Sequence, residues 1–117
     1  MIRSMASGAI VFALANPIPE IMPQLALNAG ARIVASGRSD FPNQVNNALA
    51  FPGIFRGLLD YRISKITPQI KLNAALALAN YIQRIDETHI LTDLMDKDIV
   101  KAISQAVGKP QMNPDNK

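Results

Sequence analysis

A chain of 117 residues with no cysteine, 49% hydrophobic but only 5% aromatic, has room for about one small domain with a core of Ile, Leu, Val and Ala. The missing thiols exclude disulfides, thiolate nucleophiles and cysteine-based metal sites, and they suit a reducing cytosol. The net charge of +3 is split: residues 1–85 carry eight basic and three acidic side chains, residues 86–117 four and six. The basic residues are scattered with little aromatic interleaving, so a nucleic-acid binder would rest on charge alone and no nucleic-acid partner is expected.

Ala9–Ala15 (AIVFALA) is the longest strictly apolar run, seven residues, far short of the ~20 that span a bilayer. Asn16-Pro17-Ile18-Pro19 ends it, too early for a signal peptide, so the chain is expected to be cytoplasmic with no membrane partner. A short uninterrupted apolar run of this kind predicts a strand buried on both faces, as in parallel sheets. Pro23–Ala29 then predicts a short helix with proline in its first turn and Gly30 at its end. Arg32–Ser36 (RIVAS) predicts a second strand, closed by Gly37.

Strand, helix, strand in that order predicts a βαβ unit with a right-handed crossover. Both strands of such a parallel pair end on one edge. Asn16 and the loop Ser36–Asp40 are therefore expected to be neighbours, on the side where open α/β sheets bind ligands. The next stretch is polar, with Asn43, Asn46 and Asn47, and runs straight into an apolar segment broken by Phe51-Pro52-Gly53. Phe51, Ile54, Phe55, Leu58 and Leu59 recur at helical spacing and predict one buried stripe, with Pro52 kinking or restarting the helix.

Thr67-Pro68 supplies a cap and first position for a helix running to about Ile82, apolar on most sides and so expected to be buried on most sides. Asp96 is placed to cap a last helix, Lys97–Val107, with Val100, Ile103 and Val107 inward and Gly108-Lys109-Pro110 ending it. Residues 1–109 are expected to fold and 110–117 to form a loose tail. The fold class is α/β: a partial Rossmann-type, doubly wound fold, with a βαβ unit followed by three or so helices. That is little sheet for a free-standing domain, and the apolar helix at 68–82 lacks a partner surface. A fragment or an oligomerising chain is expected.

Few residues carry chemistry unaided. There is no glycine-rich phosphate loop. The pair Gly53 and Gly57 reads as close helix packing. His89 is the only histidine and reads as a surface residue. Glu20, Asp40 and Asp60 lie far apart, so no metal site is expected from them, and Asp40 reads first as an Asx turn. Asn16, Asn46 and Asn47 differ, because a carboxamide offers two donors and an acceptor without adding charge. It can orient a carboxylate, a hydroxyl or another amide. Spacing alone explains all three somewhat better as turn and helix caps.

IVFALANPIPEIMP (residues 10–23) and GARIVASGRSDFPNQVNNALAFPGIFRGLLDYR (residues 30–62) closely resemble the NAD(P)-binding domain of bacterial-type malic enzymes. KITPQIKLNAALALANYI and DKDIVKAISQAVGKP resemble the C-terminal end of the same family, so the resemblance covers almost the whole chain. It implies oxidative decarboxylation of malate to pyruvate and carbon dioxide, hydride transfer to NAD or NADP, and a magnesium or manganese ion polarising the substrate.

It also implies that Asn16 and one of Asn46 and Asn47 contact substrate, and that Asn16 and Asn47 contact the cofactor. The family's catalytic tyrosine and lysine, its acidic metal ligands and its dinucleotide loop have no match here. No catalytic residue and no metal ligand is therefore expected in this chain, and alone it is expected to be inactive. Its expected partners are malate or pyruvate and the remainder of the enzyme, or a second copy. The alternative is a non-catalytic truncated remnant or an oligomeric interaction module.

Overall fold

Ile10–Ala13 (β1) and Ile33–Ser36 (β2) pair in parallel, Ile10 with Ile33 through Ala13 with Ser36, in the computed structural model, which describes residues 1–109. β1 is shorter at both ends than the run Ala9–Ala15, whereas β2 starts one residue after Arg32 and stops at Ser36, where Gly37 closes it. The helix between them, Pro23–Asn28 (α1), carries proline in its first turn. At its end Gly30, at φ 104°, lets its own N–H donate to the carbonyl of Leu27 (2.9 Å) and that of Ala31 to the carbonyl of Ala26 (3.1 Å). Glycine takes this left-handed turn without a Cβ penalty, so the stop read at Gly30 is a Schellman cap. The cap brings Ala31 onto Ala26, and with Val34 they form the core of this part.

The expectation that the first strand is buried on both faces does not hold within this chain. Only Ala13 is buried, while Ile10 and Phe12 are 57% and 50% exposed. α1 packs on β2, and no other helix of this compact unit lies over β1. The unit comprises Met1–Asn46 and Arg84–Leu91. A short 3-10 turn, Ile2–Ser4, precedes β1.

A second unit holds Asn47–Gln83 and the described part of Thr92–Lys117. After a 3-10 turn, Asn47–Leu49, come helices Phe51–Asp60 (α2), Pro68–Tyr81 (α3) and Asp98–Val107 (α4). Pro52 stands in the first turn of α2 and restarts the chain as a helix, where its missing N–H costs nothing. The buried face of α2 is not the expected stripe. Ile54 is buried with Gly53 and Gly57 and Leu58 is half-buried, whereas Phe51, Phe55 and Leu59 are exposed, Leu59 at 76%.

The glycines decide which face turns inward. A Cβ at Gly53 would lie 2.6 Å from Cβ of Ile103, and one at Gly57 2.7 Å from Cβ of Val107. α4 therefore lies almost against the α2 backbone, and packing density outweighs the longer apolar row. Phe51 and Phe55 stack on each other instead, centroids 6.1 Å apart.

α3 is also less covered than expected. Only Ile70 and Ala74 are buried, and Leu72 and Leu76 are half exposed. Its start follows the sequence: Thr67 Oγ1 accepts from the Ile70 N–H at 3.3 Å. Thr67→Ala is expected to cost about 1 kcal/mol, and Thr67→Ser to recover most of it, read from the urea midpoint. α4 begins one residue later than predicted, with Asp96 Oδ1 accepting from the Asp98 N–H at 3.0 Å. Ile99 and Ile103 are its most buried isoleucines, and Val100 is only half-buried. Gly108 follows α4 and lies directly against the Tyr61 ring. Pro110 and the predicted loose tail at 110–117 lie outside the described residues.

Candidate functional site

The parallel register sets the first site feature. Ala13 is level with Ser36, so the chain beyond each strand leaves the sheet on the same edge. Three residues past Ala13, the carboxamide of Asn16 lies on Gly37. A Cβ at Gly37 would stand 2.6 Å from Oδ1, 3.2 Å from Nδ2 and 3.3 Å from Cγ of Asn16. The neighbourhood expected from the strand order is therefore a contact. Asn16 is exposed, and its peptide bond to Pro17 is cis.

Glu20 fixes the approach to Asn16. Its Oε2 accepts from the Ala15 N–H at 3.1 Å, closing the turn that contains Pro17 and Pro19. Its carboxyl group is held below the usual range by its own backbone N–H, then that of Ala15, and more weakly that of Leu14. Nothing in the sequence singled out this acid beyond its place just after the two prolines.

On the second strand the loop folds back beside its own origin. Ser36, fully buried, forms a parallel bridge to Gln44: its N–H donates to the Asn43 carbonyl and its carbonyl accepts from Val45 N–H at 2.8 Å. Gln44 runs parallel to β2 at this bridge, and Asn46 follows it two residues later. Asn46 is exposed. Asn47 belongs to the second unit, where it opens the 3-10 turn and its carbonyl accepts from the Ala50 N–H at 3.0 Å. Asn16 and Asn46 belong to the first unit, and Asn47 begins the next.

Asn43 has a different use. It is buried at φ 57°; its Nδ2 donates to the carbonyls of Val34 (3.1 Å) and Glu87 (2.7 Å), and its Oδ1 accepts from Ile90 N–H (3.0 Å). It ties residues 87–90 to β2. Its left-handed backbone suits asparagine better than most residues. Arg32 and Glu87 add an exposed ion pair at 3.1 Å.

Asp40 does not form the Asx turn read first from the sequence. Arg38 takes both of its carboxylate oxygens, at 2.8 and 2.6 Å, and stands 5.5 Å from the Phe41 ring centroid. The bidentate hydrogen bonds lower the acidity range of Asp40 and raise that of Arg38. The paired charges cancel, so the loop presents amides more than net charge. His89 is exposed in the connection from Asp86, as read. Among the described residues, no three His, Cys, Asp or Glu side chains cluster to hold a metal ion, and no helix is long and apolar enough to cross a membrane.

The family model described as malic enzyme, NAD binding domain, matches residues 1–112. The chain is 48% identical to the bifunctional malic/malolactic enzyme of Bacillus subtilis, over 96% of this chain and 28% of that protein. It is 44% identical to an NADP-dependent malic enzyme of Rhizobium meliloti, over 96% of this chain and 17% of that protein. The crystal structure of a malic enzyme from Pyrococcus horikoshii superposes with a TM-score of 0.89 at 48% identity, covering 92% of this chain and 25% of that one. The chain thus spans between about a sixth and just over a quarter of the length of these relatives, and the two-stranded parallel sheet with its helices is part of a Rossmann-type α/β fold. The chain belongs to the malic enzyme NAD-binding domain family.

Proposed function

We propose that this chain is a segment of a cytoplasmic oxidoreductase that converts malate to pyruvate and carbon dioxide with NAD or NADP. Its part in the reaction is to bind and orient. Asn16 and one of Asn46 and Asn47 hold the substrate, and Asn16 and Asn47 hold the nicotinamide end of the cofactor. The observation that supports this best is the Asn16 carboxamide lying over Gly37 at the carboxyl end of two parallel strands. That is the edge on which open α/β sheets take their ligands.

A neutral amide there can donate to a carboxylate oxygen of malate and accept from its hydroxyl, without placing a fixed charge beside the carbon that loses hydride. A magnesium or manganese ion, when bound in the whole enzyme, polarises the substrate oxygen. The described residues offer it no cluster of His, Cys, Asp or Glu ligands. The remainder of the enzyme supplies proton transfer, so the chain alone is expected to show no turnover.

The test is malate-dependent reduction of NAD or NADP with manganese, run on the chain alone and on the chain mixed with the remaining portion of the enzyme. Activity only on mixing is the expected result, and Asn16→Ala in the mixture is expected to lower kcat/KM by roughly tenfold to a hundredfold. That range corresponds to one hydrogen bond to a charged group, about 1.5–3 kcal/mol. Turnover by the chain alone would overturn the division of labour.

The exposed rows Phe51, Phe55, Leu59 and Leu72, Leu76 favour a second reading, a non-catalytic remnant that persists as a homo-oligomeric module. Silence on mixing, together with self-association in analytical ultracentrifugation, would select it.

A further inference from the structure

The geometry points to Gly37 and Glu20 as the positioning residues of Asn16, one clearing the seat for its carboxamide and the other fixing the backbone that delivers it. The functional weight of this pair rests on the reading that Asn16 contacts substrate.

Gly37 is not in the left-handed region, so its backbone does not ask for glycine. Space does. Three side-chain atoms of Asn16, Oδ1, Nδ2 and Cγ, lie within 3.3 Å of where a Cβ would be. The nearest approach, 2.6 Å, is closer than any real side chain tolerates, so a methyl group at 37 must displace the amide. β2 cannot easily yield instead, because Ser36 beside it is fully buried and bridged to Gln44.

Glu20 acts from the other side. Its carboxylate holds the Ala15 N–H, one residue before Asn16, and so sets where the side chain of Asn16 starts. Within the described residues no hydrogen bond uses the Asn16 amide itself. Steric support below and a pinned backbone behind therefore leave its two donors and its acceptor for a ligand.

The experiment uses nuclear magnetic resonance on the 15N-labelled chain, reading the Asn16 side-chain NH2 pair and the exchange rate of the Ala15 amide. Gly37→Ala is expected to move the Asn16 pair while leaving the α4 amides in place. Glu20→Ala is expected to speed Ala15 exchange about tenfold, the worth of one hydrogen bond, and Glu20→Gln, which keeps an acceptor oxygen, to restore it to within a few-fold. In the mixed enzyme, Gly37→Ala and Glu20→Ala are expected to lower kcat/KM for malate about tenfold, with Glu20→Gln near the parent.

An Asn16 pair unmoved by Gly37→Ala, or Ala15 exchange unchanged by Glu20→Ala, overturns the proposal, even if Asn16→Ala proves costly and the substrate reading survives. Should Gly37→Ala not fold, the two Glu20 variants decide. If the resonances respond as expected but Asn16→Ala leaves activity intact, the positioning relation stands and the substrate reading falls.

Discussion

Gly57→Val is expected to unfold the second unit under conditions where the parent chain is intact. The reason is the distance between α2 and α4: at Gly57 even a single carbon would meet Cβ of Val107 at 2.7 Å and the Ser104 carbonyl at 2.9 Å. Neither is the loose end of a flexible side chain. Val107 is 1% exposed and the carbonyl belongs to the helix backbone, so the whole of α4 must shift. Such overpacking costs about 1–3 kcal/mol for a small excess of volume, and valine adds three carbons.

Gly57→Ala is a finer test, because alanine gains up to about 1 kcal/mol in helix propensity while its methyl group meets the same wall. A net loss of about 1–2 kcal/mol is expected, and less than a simple sum for Gly53→Ala combined with it, since one displacement of α4 relieves both. Urea midpoints decide the matter. A midpoint for Gly57→Ala at or above that of the parent would mean that the helices do not approach this closely.

Asn43→Leu is expected to lose about 3 kcal/mol or more and to release residues 87–90. Leucine keeps the branched shape, though it is bulkier, but cannot donate to the carbonyls of Val34 and Glu87 or accept from Ile90 N–H. A buried polar group left without a partner costs about 1–3 kcal/mol, and left-handed backbone costs most L residues a further 1–2 kcal/mol or so. Asn43→Gly separates the two effects: it keeps the backbone conformation and loses the side-chain bonds. Glycine is therefore expected to fall between parent and leucine in thermal stability. In both variants the Ile90 amide is expected to exchange at least about tenfold faster, and unchanged exchange would show that Asn43 does not hold this segment.

Elements governed by local rules were legible from the residues. Two apolar runs bounded by proline and glycine became parallel strands; Pro23, Gly30 and Thr67 start or stop helices where chain-local chemistry requires it. What escaped depends on partners far away in sequence or on atoms that are missing. A hydropathy count sees Phe51, Phe55 and Leu59 and gives glycine no vote, yet Gly53 and Gly57 admit α4 and turn those three outward. Asp40 resembles any turn aspartate until Arg38 is seen to take both oxygens.

The candidate site was legible in part for the same reason. Parallel strand order alone brought Asn16 beside the loop after the second strand. The supports of Asn16 do not follow from that order. Gly37 reads as a strand terminator and Glu20 as an acid too isolated to hold a metal, because each acts through an approach of a few ångströms that no periodicity encodes. Asn43 was grouped with the loop's other amides, although two of its three partners stand 44 and 47 residues away.

Those long separations also set an order of events during translation. The first unit is interrupted in sequence by Asn47–Gln83, so a nascent chain carries Asn43 out of the ribosome well before Glu87 and Ile90 exist to meet it. Until then its amide can bond only to water or to β2. Within this stretch β2 is thus made early and finished late, waiting on a latch some 44 residues further along.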